Sequence, residues 1–324
     1  MKLPRRNFLH AAGAAALSAV SRIARAQAYP SRPVRLVVPF GSAGATDIVA
    51  RLMGQWLSER LGQPFIIENR PGAGGNLGTD SVVKSPPDGY ALLVASSTNA
   101  INATLYEKLS FNFLSDIAPV VSIIRFPTIM VVNPSVPAKT LPEFIAYAKS
   151  NPGKINMASS GIGSTPHIFG ELFKMMASVN LVHVPYRSIA AAMTDLISGQ
   201  VQVMFVTTAA SKDYVKAGTL IALAVTSLTR LEELPNIPAV GEVLSGYDAS
   251  IWFGIGAPKA TPAEIVDKLN TEVNAALADP KMKARLADLG GDVLAYSPAD
   301  FGKLIADETE KWGNVIRVLN IKAE

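Results

Sequence analysis

Apolar positions change their period along this chain in a repeating way. Val34 to Val38 is a short Val-rich run of the kind that forms a buried parallel strand. It breaks at Pro39, turns through Gly41 and Gly44, and enters a stretch where Ile48, Val49, Leu52, Met53, Trp56, Leu57 and Leu61 recur at helical spacing. Thr46 is placed to cap that helix, Asp47 lies in its first turn where the helix dipole favours an acid, and Gly62 supplies the stop. Phe65–Glu68 and Ala91–Ala95 read as further strands, with a glycine-dense loop and a helix over 77–83 between them. The pattern resets near Ile129, with a strand at 130–132, a helix over 141–149, a strand at 155–160, a second Gly/Ser loop and a helix over 165–176. Thr165 and Pro166 read as N-cap and first helical residue of that last helix. Strands at 181–185, 201–206 and 221–226 alternate with helices over 190–197 and 213–216. Ile251–Pro258 is a strand that crosses back, and helices over 262–277, 281–289 and 298–319 close the chain.

Strand–helix alternation of this kind predicts an α/β fold, here two lobes, each a mainly parallel sheet flanked by helices. The expected division is residues 29–130 plus 252–324 for one lobe and 131–251 for the other. Residues 1–28 are set aside as a cleavable export signal. Arg5-Arg6-Asn7-Phe8-Leu9 is twin-arginine-like, the apolar core at 11–20 is too short to span a membrane, and Ala26 or Ala28 is the small residue before the cut. Periplasmic localisation follows. Without Lys2, Arg5, Arg6, Arg22 and Arg25, 25 basic residues face 26 acidic ones, so the formal charge of +4 belongs to the precursor and no nucleic-acid partner is expected. The chain has no cysteine, which excludes disulfides, thiolate metal sites and a cysteine nucleophile together.

The two Gly/Ser loops, each ending a strand and opening a helix, present unpaired amides and partial positive charge, which suits a small anion. The candidate set is Phe40, Ser42, Ala43, Gly44, Thr46 and Asp47 from the first loop, and Ser160, Gly161, Gly163, Ser164, Thr165 and His167 from the second. Ser97, Tyr186, Arg187 and Thr207 are further candidates for the same site. Asp47 and Arg51 also read as a simple i,i+4 pair worth a few tenths of a kcal/mol, about 0.2–0.5. His167 either touches the ligand or serves a neighbouring carbonyl, whereas His183, inside an apolar strand, reads as a packed core histidine. Gly72-Ala-Gly74-Gly-Asn-Leu-Gly78 has the spacing GxGxxxG, with Leu77 where a dinucleotide fingerprint needs glycine, so a tight turn with close helix packing is the expected use. No GxSxG is present, and no carboxylates stand at metal-ligand spacing with the two remaining histidines. No catalytic residue, metal or cofactor is expected.

Arg35-Leu-Val-Val-Pro-Phe40 with Gly44 and Thr46-Asp47, then Glu68-Asn-Arg-Pro-Gly-Ala-Gly-Gly-Asn76 and Pro87-Asp-Gly-Tyr90, resemble the Bug (TctC-like) family. These are periplasmic solute-binding receptors of tripartite tricarboxylate transporters. Ser159-Ser-Gly-Ile-Gly-Ser164 with His167, Val184-Pro-Tyr186, Leu234-Pro-Asn-Ile-Pro238 with Glu242, and Trp252 with Ala257-Pro258 continue the likeness. The resemblance implies a type II-like Venus-flytrap architecture and a monomer that captures a small carboxylate through the two loops and hands it to membrane transporter subunits. A ligand-presenting sensor for a receptor kinase is the alternative, and a carboxylate-processing hydrolase a remoter one. Arg187-Ser188 stands where the family often has Lys-Gly, and Gln202 and Val206 where it often has acids, which opens the far end of the ligand to question.

Overall fold

A computed structural model describes residues 29–42, 44–231 and 234–323; the expected export signal and Ala43 lie outside the described residues. The first strand, β1 (Val34–Val38), pairs in parallel with β2 (Phe65–Asn69) and β3 (Ala91–Ser96). These are joined by helices α1 (Ala45–Leu61) and α2 (Asn76–Val83). Helices α3 (Ser97–Leu105) and α4 (Phe113–Asp116) lead to β4, a 16-residue strand, Ile117–Val132. A second parallel set follows in the order α5 (Leu141–Ser150), β5 (Asn156–Ser159), α6 (Thr165–Ala177), β6 (Val182–Pro185), α7 (Ile189–Ser198), β7 (Val203–Thr207), α8 (Thr208–Lys216) and β8 (Ile221–Val225). β9 (Ser250–Pro258) returns, followed by α9 (Ala263–Ala278), α10 (Pro280–Asp288), β10 (Asp292–Val293) and α11 (Pro298–Val318).

The strands form one curled mixed sheet in the order β2-β1-β3-β9-β4-β7-β5-β6, with β8 and β10 also pairing to β4. Pairing is parallel among β1–β3 and among β5–β7, and antiparallel wherever β4 or β9 takes part. β4 changes partners midway: Ile117–Pro127 pair with β9, and Thr128–Val132 pair with β7. The strand reading at 130–132 catches only the end of this element. Pro119 and Pro127 interrupt the apolar run, and both sit where a ladder tolerates them: one flanks a register shift, the other ends the pairing with β9. At the switch, the buried Thr226 hydroxyl donates to Ala249 O (2.6 Å) and lies 2.5 Å from Thr128 Oγ1, tying three chain segments together.

β1 is buried on both faces, which is why its sequence is a continuous apolar run rather than an alternating one. Leu36 and Val38 pack with Leu52, Met53 and Leu57 of α1 and Leu269 and Val273 of α9, while Val37 faces the opposite core with Leu93. That second core runs on through Trp252, Phe301 and Trp312 to Met130, Phe169 and Phe205, so one hydrophobic body spans the partner switch in β4. Trp312 of α11 stacks on Phe169 of α6 with ring centroids 5.1 Å apart.

Gly254 of β9 permits α11 to lie directly on the sheet: an added Cβ would fall 2.3 Å from Phe301 Cζ and 2.6 Å from Val121 O. Gly254→Ala is expected to cost about 1–3 kcal/mol, because the obstruction includes backbone. Urea unfolding should show a lower midpoint at unchanged slope, and an unaltered midpoint would refute this packing.

Candidate functional site

The parallel register decides where the loops lie. β1 aligns with β3 so that the chain after Val38 is level with Ser96, and Ser96 pairs with Phe253 at the start of β9, beside the switch. On the other side, the C-terminal residue of β7, Thr207, pairs with Thr128, the first residue beyond the switch. The C-terminal ends of both parallel strand sets therefore converge on one junction, the position where ligands bind in α/β sheets. The loop after β1, Ser97 after β3, the loop after β5, Tyr186 and Arg187 after β6, and Thr207 are all brought to that edge. The second loop also reaches across: a Cβ on Gly163 would fall 2.2 Å from Leu105 Cδ2, so α3 rests directly on the loop's backbone.

In the first loop the helix begins two residues earlier than Thr46 as its cap would place it. Gly44, extended at φ −78° and ψ 166°, occupies the N-cap, and Thr46 lies inside the first turn, 8% exposed. Asp47 is more than a surface i,i+4 pair. Its side chain is only 3% exposed; Arg51 Nε and Nη2 donate to its two oxygens at 2.9 and 3.0 Å, and Asn69 Nδ2 donates to Oδ1 at 2.9 Å. The same Asn69 amide donates to Phe40 O at 3.1 Å, so the end of β2 ties the loop to the helix start. Asp47 thus serves the loop's shape, and its charge is matched by Arg51, whose own pKa the Asp47 bond raises. Ser42, Gly44, Ala45 and Thr46 keep backbone amides without a partner among the described residues, and the hydroxyls of Ser42 and Thr46 are likewise uncommitted.

The second loop departs further from expectation. Ser164, not Thr165, is the N-cap, and Pro166 sits at the second helical position. Three amides expected to hold the ligand are already used: Gly161 N–H donates to Ser159 Oγ (3.1 Å), Gly163 N–H to His167 Nδ1 (3.0 Å) and Ser164 N–H to Gly161 O (3.2 Å). The Ser164 hydroxyl also donates to Gly161 O, at 2.7 Å. What remains open is the amide and hydroxyl of Thr165, the amide of Ile162 and the hydroxyl of Ser160. The positive φ of Gly161 (+121°) and Gly163 (+75°) makes this inward folding of the loop possible.

His167 lies beneath the loop, 5% exposed, accepting from Gly163 through Nδ1 and pointing Nε2 toward Glu171, 3.7 Å away. Its ring stacks on His183 at 3.8 Å. His183 is half-buried rather than a core residue, and its Nε2 stands 2.6 Å from Ser159 Oγ. Burial lowers His167 to about 3 and His183 to about 4, with neighbouring positive charge adding to both, so the stacked rings are neutral. The pair is a prop for the loop. Tyr186 is also committed, its N–H to Ser159 O and its hydroxyl to Asp195 Oδ2 (2.7 Å); burial and that bond raise its pKa to about 12. Arg187 is exposed and has no ion pair among the described residues. Gln202 lies at the opposite end of β7, accepting from Asn156 N–H and donating to Gly199 O, and Val206 is buried against Met204 and Leu196.

Among the described residues, two buried polar atoms at this edge have no partner: Ser97 Oγ and Asn76 Nδ2. Ser97 is among the expected site residues, whereas Asn76, which closes the glycine-dense loop, is not. That loop does what its spacing predicts. Gly75 and Gly78 allow Phe40 and Pro39 to pack on it, a Cβ on Gly78 falling 2.8 Å from Pro39 Cα. Among the described residues no cluster suited to a metal ion occurs, and no helix is long and apolar enough to cross a membrane.

Residues 49–321 match the model of the tripartite tricarboxylate transporter family receptors, TctC. The chain belongs to that family. A Pseudomonas sp. (strain P51) relative, the UPF0065 protein in the tcbD-tcbE intergenic region, is 35% identical over 96% of this chain and 94% of its own length. Among solved structures, Rhodopseudomonas palustris Rpa4515 with adipate is 36% identical, covers 91% of this chain and 99% of its own, and superposes with a TM-score of 0.78. MatC from the same organism, with bound malate, is 32% identical, covers 89% and 100%, and gives a TM-score of 0.75. The fold is the two-lobed one of periplasmic binding proteins of the TctC type.

The neutral histidine pair has a pH signature. In the unfolded chain each imidazole titrates at about 6.5, above its folded value, so the unfolded state takes up protons that the folded state refuses. The pair's contribution to stability is therefore complete above about pH 6.5 and is lost as pH drops toward about 3. His167→Gln/His183→Gln should flatten that decline in urea-unfolding free energy across the window. An equally steep decline in the double variant would show that other groups carry it.

Proposed function

We propose that the chain is an extracytoplasmic receptor that closes two lobes over a small carboxylate and delivers it to a tripartite tricarboxylate-type membrane transporter. Family membership supports the receptor role, and relatives solved with adipate and malate support the ligand class. The observation that carries the reading to this chain is the set of uncommitted donors at one junction: amides of Gly44, Ala45, Thr46 and Thr165, and hydroxyls of Ser42, Thr46, Ser97, Ser160, Thr165 and Thr207. Donors from both parallel strand sets would meet the anion, with the exposed Arg187 near its outer end. Charge-assisted bonds of this type contribute about 1.5–3 kcal/mol each. A few of them reach the roughly −8 kcal/mol of a micromolar complex.

The proposed lobes are residues 29–130 with 252–324, and 131–251. The partner switch of β4 at Pro127–Thr128 and the start of β9 at Ser250 support a hinge there. Ala43 belongs with the first loop's donors, and His167 enters as a positioning residue. Export through the twin-arginine-like segment, cleavage near Ala26 or Ala28, and a monomeric receptor complete the reading.

Calorimetry of ligand-stripped protein against mono-, di- and tricarboxylates should find binding, and Thr165→Val should weaken the best ligand about tenfold or more while leaving thermal stability nearly unchanged. A response confined to sugars or amines, or full affinity in Thr165→Val together with Thr46→Val, would overturn it.

A further inference from the structure

A cavity of about 640 Å³ is lined by α8 and its neighbours and shares none of the two loops' residues. Its floor is aliphatic, formed by Ile129 of β4, Ala222 of β8, Leu234 and Ile237, and it is closed from across the switch by Ala287 and Gly290 at the end of α10. The wall is tight at that end, where Thr208 Oγ1 stands 3.4 Å from a Cβ built on Gly290. Lys212 and Lys216, one turn apart on α8, line the cavity, and neither has an ion pair among the described residues. Among the described residues Asp288 is the single acid in the lining. The volume falls within the range of small-molecule sites, about 300–1,000 Å³. An apolar floor with two unpaired ammonium groups at its margin complements a particular shape of ligand. One end must be charged and negative, and the other must be a hydrocarbon body several carbons long.

We propose that this cavity is a second binding site, independent of the loop site, for a small monocarboxylate with an apolar tail. The tail lies on Ile129, Ala222 and Ile237, and the carboxylate lies between Lys212 and Lys216. The pair selects for charge and the floor for length, so a short acid lacks the apolar contact and a neutral chain lacks the ionic one.

The test is an amide-resolved NMR titration of the full mature chain with octanoate, butyrate and octanol, following Ala222, Val215 and Ala287 at the cavity and Thr46 and Thr165 at the loops. Octanoate is expected to shift the cavity amides with an affinity about tenfold above butyrate and octanol, and Lys212→Ala/Lys216→Ala should remove that advantage. Ala222→Trp, which fills the floor, should abolish the cavity shifts while a dicarboxylate still moves the loop amides. Octanoate shifts confined to Thr46 and Thr165 would overturn the second site and leave the loop site standing. Equal affinity for octanol, an undiminished response in the double lysine variant, or no shift at the cavity would each overturn it as well. Failure of the loop reading has a different mark, since dicarboxylates would then leave Thr46 and Thr165 unmoved.

Discussion

One strand has to serve two sets of partners. β4 is long enough to bond β9 along its first part and β7 along its last, and every other feature of the junction follows from that division. Because β1 and β3 reach β4 through the antiparallel β9, and β5 reaches it through the antiparallel β7, the parallel strands of the two sets end facing each other. Strand C-termini are where helices begin and where amides lack partners. A shared strand thereby turns two separate helix-start geometries into a single place rich in donors.

Having donors is not sufficient, since a glycine-rich segment ordered only by its ligand would lose binding energy to its own entropy. The structure divides each loop's polar groups into those that hold shape and those that stay open. Asn69 and Asp47 hold the first loop, and His167, His183, Ser159 and Tyr186 hold the second, in each case through side chains borrowed from a neighbouring strand or helix. The cost is that Gly161, Gly163 and Ser164 give their amides to the scaffold. The gain is that Thr165 and Thr46 present theirs from fixed positions.

That division explains what could be read from the chain and what could not. Period and punctuation located most strands and helices but not α3, α4, β10 or the first part of β4, and the glycine spacing at 72–78 spoke for the close packing found at Gly75 and Gly78. The helix starts lie earlier than expected, by two residues in the first loop and one in the second, because Thr46 and Thr165 have the right chemistry for a cap, yet Gly44 and Ser164 take the extended backbone a cap needs. Nothing local to the second loop announces that His183, on β6, would stack on His167 and leave Gly161 bonded to Ser159; that depends on strand register. Gln202 stands where the resemblance often has an acid, and the pairing of β5 with β7 places it at the end of that strand away from Thr207. Short-range signals are visible in sequence, whereas the assignment of donors to scaffold or ligand is set by long-range neighbours.

The resulting electrostatics favour the proposed closure. Asp47 is matched by Arg51, Glu171 by Lys174, and both histidines are neutral, so the junction carries little net charge beyond the exposed Arg187. Oriented amide and hydroxyl dipoles are weak attractors in water, where the dielectric screens them and solvent competes for each bond. Removed from water they strengthen several-fold. An open junction of this composition would hold an anion poorly, and one shut around it would hold it well. In the proposed receptor, affinity would therefore reside in the change of state itself, which suits capture followed by release.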